Sequence, residues 1–114
     1  VIAASSYDGR KILNKKHFKF LKKGSYIVNT SRFFSVDENE IVKNLKSGRI
    51  AGYATDSIDG EYDKNLYRKN KFIKLSGKYN IIITPHLGGF TFESLNQTEE
   101  IMAKYFYKNF KNKI

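Results

Sequence analysis

Three short β-rich runs, at residues 26–29, 50–55 and 80–84, show little of the in–out alternation that a half-exposed strand needs. Strands with helices on both faces read this way, and such strands belong to parallel sheets. The segments between the runs carry helical periodicity and capping residues. Parallel neighbours cannot be joined by a tight turn and need a crossover connection, which is right-handed. The chain is therefore confined to an α/β layer of Rossmann-like type. Ligands bind such sheets at the carboxyl ends of their strands.

The helix signals fall where this layout needs them. Val1 to Ala4 is a further short apolar run and reads as a buried strand. Asn14 can cap a helix that carries Phe18 and Leu21 on one side and stops at Gly24, where a left-handed residue ends the turn. Ser35 and Glu38 match a capping box. The helix they open places Ile41, Val42 and Leu45 inward and ends at Ser47-Gly48. Small Ala51 and Gly52 allow close packing in the next strand. Residues 62–79 are polar and Lys-rich and read as a surface connection with a single helical turn. Residues 92–111 read as a long helix, in which Leu95, Thr98, Met102, Tyr105, Phe106 and Phe110 recur at helical spacing. About four strands and no Gly-x-Gly-x-x-Gly run make half of a dinucleotide-binding layer. The phosphate-binding first half would precede Val1.

Composition narrows the function. At 114 residues the chain is at most one domain, and it opens on Val1 rather than Met, which reads as a fragment. It has no cysteine, which excludes disulfides and thiolate metal sites, and two histidines are too few for a histidine-rich centre. No apolar run approaches a membrane span and no signal-peptide pattern is present, so a cytoplasmic enzyme or binding protein is expected. The net charge of +10 would suit a polyanion partner. However, the lysines are spread over residues 11–113 without a nucleic-acid-binding motif, and solvated basic faces are the favoured reading.

Three polar residues stand at the ends of the strand runs. Arg32 closes Val28-Asn29-Thr30-Ser31-Arg32, Glu61 follows Asp56-Ser57-Ile58-Asp59-Gly60, and His86 lies in Thr84-Pro85-His86-Leu87-Gly88-Gly89. A guanidinium, a carboxylate and an imidazole gathered at one sheet edge can hold a carboxylate substrate and move a proton.

These stretches resemble the D-isomer-specific 2-hydroxyacid dehydrogenases. The likeness runs from Lys22 through Arg32, through Leu45-Lys46-Ser47-Gly48-Arg49-Ile50-Ala51-Gly52, through the five-residue step from Asp56 to Glu61, and through Ile83 to Gly89 with Thr91 and Glu93-Ser94. It is clearest from Asn14 to Lys108, and the phosphoglycerate dehydrogenase-like members are the nearest in pattern. The resemblance implies the C-terminal half of an NAD-binding domain over residues 1–114. NAD would be the cofactor, with NADP as the alternative, and a small 2-hydroxy or 2-oxo acid the substrate. The complete protein would be a homodimer. Arg32 would bind the substrate carboxylate, and His86 would act as general acid and base. Glu61 would hydrogen-bond His86 and favour its charged form. Thr30, Ser31, Arg32, Asp56, His86, Gly88 and Gly89 would contact the cofactor, Asp56 through the nicotinamide carboxamide.

The sequence departs from that pattern in places. Phe33 follows Arg32 where the family has Gly, and Tyr62 follows Glu61 where many members have Pro. Ser57 follows Asp56 where Val is usual. Ser5-Ser6 stand where relatives carry a His-x-Pro run. Phe33 and Ser5-Ser6 keep open a catalytically degenerate relative serving as a nucleotide-binding or scaffold protein, and the +10 charge keeps open, less favoured, a basic polyanion-binding module. His17 sits among lysines and is read as solvent-facing. The stripe of Tyr105, Phe106 and Phe110 is read as packing surface.

Overall fold

The computed structural model describes residues 1–6 and 8–110, together with the backbone but not the side chain of Phe110. Three strands, β1 (Ser25–Asn29), β2 (Ile50–Thr55) and β3 (Ile81–Ile83), form a parallel sheet in the order β1-β2-β3. Asn29 pairs with Thr55, and Thr55 with Ile83, so the carboxyl ends of all three strands lie in one row. The loops that leave this row carry Arg32, Glu61 and His86.

The helices are α1 (Lys15–Phe18), α2 (Glu38–Lys46), α3 (Lys64–Lys69), α4 (Lys71–Leu75) and α5 (Phe92–Phe110). The strand order advances in one direction, so right-handed crossovers put every connecting helix on the same side. There Phe18, Ile27, Ile41, Leu45, Tyr53, Phe72 and Ile81 form one buried cluster, with the rings of Tyr53 and Phe72 at 4.9 Å. The opposite face, bearing Tyr26, Val28, Ala54 and Ile82, is covered by nothing among the described residues; Tyr26 is 68% and Ile82 59% exposed. Strands sheltered on both faces were expected. The topology supplies cover for one.

Gly52 leaves little room beside it in β2. A Cβ there would lie 2.8 Å from Asn80 Nδ2 and 2.9 Å from the Tyr26 ring. Both side chains would have to shift to admit that methyl group.

Several elements differ from expectation. Residues 1–4 form no strand; Ile2 makes a single bridge to Asn29, donating to Val28 O at 2.8 Å and accepting from Thr30 N–H at 2.9 Å. α1 begins at its Asn14 cap but ends at Phe18, because the chain tightens into turns before Gly24. Ser35 is not the cap of α2. It lies in a one-turn 3-10 helix (Phe33–Ser35), and Asp37 caps α2 by accepting from Asn39 and Glu40 N–H. Residues 62–79 hold two short helices rather than one turn, capped by Asp63 and Asn70. The long terminal helix is present, though Leu95, Met102 and Tyr105 are exposed along it. Residue 111 lies outside the described residues. No helix is long and apolar enough to cross a membrane among those described.

Candidate active site

At the end of β1 the chain turns around a buried amide. Asn29 is fully buried, and its Oδ1 accepts from the Ser31 N–H at 3.1 Å and the Ser31 hydroxyl at 2.7 Å. Its Nδ2 donates to the Arg32 carbonyl at 3.0 Å. Both ends of the amide are thus spent on the loop that projects Arg32 into solvent at the sheet edge. Phe33, where glycine was the expected residue, needs no left-handed backbone. Among the described non-glycine residues only His86 has a positive φ.

At the end of β2 the turn through Ile58, Gly60 and Glu61 is closed by its own carboxylate. Glu61 Oε2 accepts from the Ile58 N–H at 3.1 Å, and the Glu61 N–H donates to the Ile58 carbonyl at 3.3 Å. Gly60 has φ +76°, and a Cβ there would fall 2.6 Å from Leu66 Cβ, so glycine is needed on both counts. The other carboxylate oxygen, Oε1, lies 2.6 Å from His86 Nδ1. Both side chains are mostly shielded, at 15% and 24% exposure for Glu61 and His86. A short charge-assisted bond of this kind is strong when water is partly excluded.

His86 follows Pro85 at the end of β3 with φ +55°. A non-glycine residue in that region costs of order 1–3 kcal/mol and persists only where its surroundings hold it. Asp56 holds it here. Its Oδ1 accepts from the Thr84 hydroxyl and from Leu87 N–H at 3.0 Å, and its Oδ2 from Gly88 N–H at 2.8 Å. Burial pushes the Asp56 carboxyl up, but the Thr84 hydroxyl, the two N–H groups and the nearby His86 outweigh it. The net result lies below the usual carboxylate value.

The three residues meet. His86 Nε2 lies 3.5 Å from Arg32 Nη1 while Nδ1 faces Glu61. One proton arrangement satisfies both contacts in the neutral imidazole: Nδ1–H donates to Glu61, and Nε2 accepts from the guanidinium. A substrate oxygen replacing that Arg32 contact would face a nitrogen able to accept or return a proton.

The other expected residues are placed less directly. Thr30 is exposed, its hydroxyl donating to the Ile2 carbonyl at 3.3 Å. Ser31 is buried, its hydroxyl and N–H are committed to Asn29, and its carbonyl accepts from Arg32 Nη1, so it serves the loop from within. Gly88 and Gly89 are exposed on the His86 loop; a Cβ on Gly88 would come 2.8 Å from Asp56 Oδ2. His17 is exposed and accepts from the Asn14 N–H through Nδ1 at 3.2 Å. Tyr62 was read only as a departure from pattern, yet its hydroxyl stands 3.2 Å from His86 Nδ1. Asn29 and Thr84 were missed as organisers because a buried amide and a strand-end hydroxyl carry no local motif.

Two cavities flank this cluster. One of about 430 Å³ is walled by Ile58, Tyr62, Tyr67, Ile83 and Pro85 beside Glu61 and His86. The other, a largely apolar cleft of about 170 Å³ on the uncovered sheet face, is bounded by Val28, Thr30, Ala54, Asp56, Ile82 and Thr84.

Comparison with known proteins agrees with these motifs. The family described as D-isomer specific 2-hydroxyacid dehydrogenase, NAD binding domain, matches residues 1–88. An aromatic 2-oxoacid reductase of Clostridium sporogenes is 33% identical over 103 residues, covering 82% of this chain and 30% of that protein. A putative D-3-phosphoglycerate dehydrogenase of Schizosaccharomyces pombe is 38% identical over 98 residues, covering 79% and 21%. Among solved structures, the NAD-complexed D-isomer specific 2-hydroxyacid dehydrogenase of Lactobacillus delbrueckii ssp. bulgaricus superposes with a TM-score of 0.72 at 25% identity, over 87% of this chain and 32% of that one. The chain thus spans about a third or less of the length of these relatives.

Proposed function

The chain belongs to the D-isomer specific 2-hydroxyacid dehydrogenase family, and on that premise we propose that the complete polypeptide interconverts a 2-hydroxy acid and a 2-oxo acid with NAD(H). In this reading residues 1–114 form the C-terminal half of the nucleotide-binding domain. The observation that carries the proposal is the arrangement around one imidazole: Glu61 on Nδ1 at 2.6 Å and Arg32 beside Nε2 at 3.5 Å.

The residues at the sheet edge fit a nicotinamide. The 170 Å³ cleft is largely apolar, and Asp56 stands at its rim. A carboxylate offers about four lone-pair directions. Asp56 spends two on Oδ1 and one on Oδ2 within the His86 loop, which leaves Oδ2 able to accept from a carboxamide N–H. Thr30, Gly88 and Gly89 would approach the rest of the nucleoside, with Ser31 shaping the loop behind Thr30. When bound, the cofactor would supply or accept the hydride at C2 of the acid.

The protein side of the reaction follows from charge. Arg32 Nη1 is shared between His86 Nε2 and the Ser31 carbonyl at 3.2 Å, while Nη2 and Nε make no hydrogen bond to the described residues. That open edge of the fork can grip a carboxylate with two N–H groups. Reduction of the carbonyl needs a proton at the developing alkoxide, and His86 delivers it from Nε2. Oxidation runs the same transfer backwards. Glu61 orients the ring and balances the imidazolium throughout.

The test is the His86→Gln variant of the complete polypeptide, assayed by NADH consumption with a 2-oxo acid. The rate should fall by about 10²–10⁴-fold, the usual worth of a positioned acid–base group. Undiminished turnover would remove the proton role.

A further inference from the structure

The cavity of about 430 Å³ lies between the turn after β2 and the end of β3, and proton transfer at His86 leaves it unused. Ile58, Tyr62, Tyr67, Ile83 and Pro85 make its walls largely apolar and aromatic. Glu61 brings the one carboxylate, and no lysine or arginine among the described residues lines it. Ile58, 1% exposed, closes the inner end. Tyr62, 89% exposed, stands at the rim with its ring centroid 6.3 Å from that of His86. An apolar cavity of about 150 Å³ already admits benzene, so an aromatic ring has room here.

We propose that this cavity receives the side chain of the 2-oxo acid and selects substrates whose side chain is bulky, apolar and uncharged, an aromatic ring fitting best. This rests on the reading of Arg32 as the carboxylate anchor and His86 as the acid–base group. C2 of such an acid is trigonal, so its carboxylate, oxo oxygen and side chain diverge. Arg32 reaches His86 Nε2 from the loop after β1 and does not line the cavity. With the carboxylate on the open fork of Arg32 and the oxo oxygen at Nε2, the side chain leaves C2 on the side away from Arg32. On that side His86 is flanked by the cavity.

The same walls disfavour a charged side chain. A phosphate placed there would lose its water and face the Glu61 carboxylate with no lysine or arginine to balance it. Glu61 cannot swing aside, because Oε2 is held by the Ile58 N–H and Oε1 by His86. A methyl side chain enters freely but leaves most of the space to water. One methylene in an apolar pocket is worth about 10–200-fold in kcat/KM, and a whole ring offers several such groups. The ring also gains stacking contact with Tyr62 and Tyr67.

The experiment measures kcat/KM of the complete polypeptide for phenylpyruvate, pyruvate and 3-phosphohydroxypyruvate, with NADH in excess. Phenylpyruvate should exceed pyruvate by about 10²-fold, and the phosphorylated acid should be the poorest of the three. Two variants then locate the preference. Tyr67→Ala removes one aromatic wall and should lower the phenylpyruvate-to-pyruvate ratio about tenfold or more. Tyr67→Arg brings a cation to the cavity and should raise 3-phosphohydroxypyruvate relative to phenylpyruvate about tenfold or more. A wild type that reduces pyruvate or the phosphorylated acid as well as phenylpyruvate overturns the proposal and leaves the dehydrogenase reading standing. So do wild-type ratios retained in both variants, which would place the side chain elsewhere. The wild-type ranking decides the matter even where a variant fails to fold. Turnover of none of the three acids refutes the dehydrogenase reading itself, and the proposal falls with it.

Discussion

Arg32 shows how one side chain can serve two partners. Nη1 is engaged by His86 and by the Ser31 carbonyl, while the other fork is open. Lysine would keep the charge and lose the fork. The Arg32→Lys variant should therefore raise KM for the 2-oxo acid about tenfold or more, equivalent to about 1.4 kcal/mol. Steady-state kinetics would check this, and an unchanged KM would refute the carboxylate role. Asp56 makes a prediction of a different kind. Its carboxyl is held below the usual value in the fold, so the unfolded chain takes up a proton first as pH falls. Its contribution is fully present above about pH 4 and is lost as pH falls through the folded value. Asp56→Asn should cost about 1–2 kcal/mol at neutral pH, because one acceptor oxygen and the charge are removed. The gap between the two proteins in urea denaturation should close below about pH 4. A gap that persists undiminished there would show that the carboxylate charge is not what anchors the His86 loop.

At the scale of elements, the strand ends were legible because they combine two signals, a β-rich run that stops and a polar residue that follows. Asn29, Thr55 and Ile83 align in the sheet, and that register brings Arg32, Glu61 and His86 together. The caps were harder to read. Ser35 and Glu38 fit a capping box in sequence, but the fully buried Ser35 hydroxyl finds no partner among the described residues, and Asp37 takes the cap two residues later. The 3-10 turn over Phe33–Ser35 decides this, because it carries Ser35 away from the start of α2. Short helices such as α3 and α4 lack the length for a periodic signal and depend on the Asp63 and Asn70 caps. Replacing Asp37 by Ala should cost about 1 kcal/mol, the typical worth of a helix cap, measured by urea denaturation. Gly52 carries a sharper expectation. Gly52→Ala forces a methyl group into Asn80 and the Tyr26 ring in the central strand, and should destabilise by about 1–3 kcal/mol. An unchanged midpoint would mean that the neighbouring side chains yield without cost.

The whole molecule has two apolar surfaces with nothing on them among the described residues. One is the sheet face bearing Tyr26 and Ile82, and the other follows α5 through Ile101, Met102 and Tyr105. The α/β class was readable from the strand runs. That the connecting helices all fall on one side was not, because it depends on the order of the strands in space. Apolar faces of this extent favour association, and charge opposes it. The chain carries +10, so copies repel at low ionic strength. Salt shortens that repulsion to about 8 Å at physiological strength and leaves apolar contact intact. The isolated 114-residue chain should thus be closest to monomeric at low salt and associate as salt rises, read by light scattering. Ile82→Lys should suppress the association by placing a charge on the uncovered face. A polyanion-binding role predicts the opposite salt trend for binding to duplex DNA, strongest at low salt. The isolated chain should also show no NADH turnover, because none of its residues form a Gly-x-Gly-x-x-Gly loop to hold the pyrophosphate. A monodisperse monomer at all salt concentrations that turned over a 2-oxo acid would contradict both expectations and would require the uncovered sheet face to be solvated in the working protein.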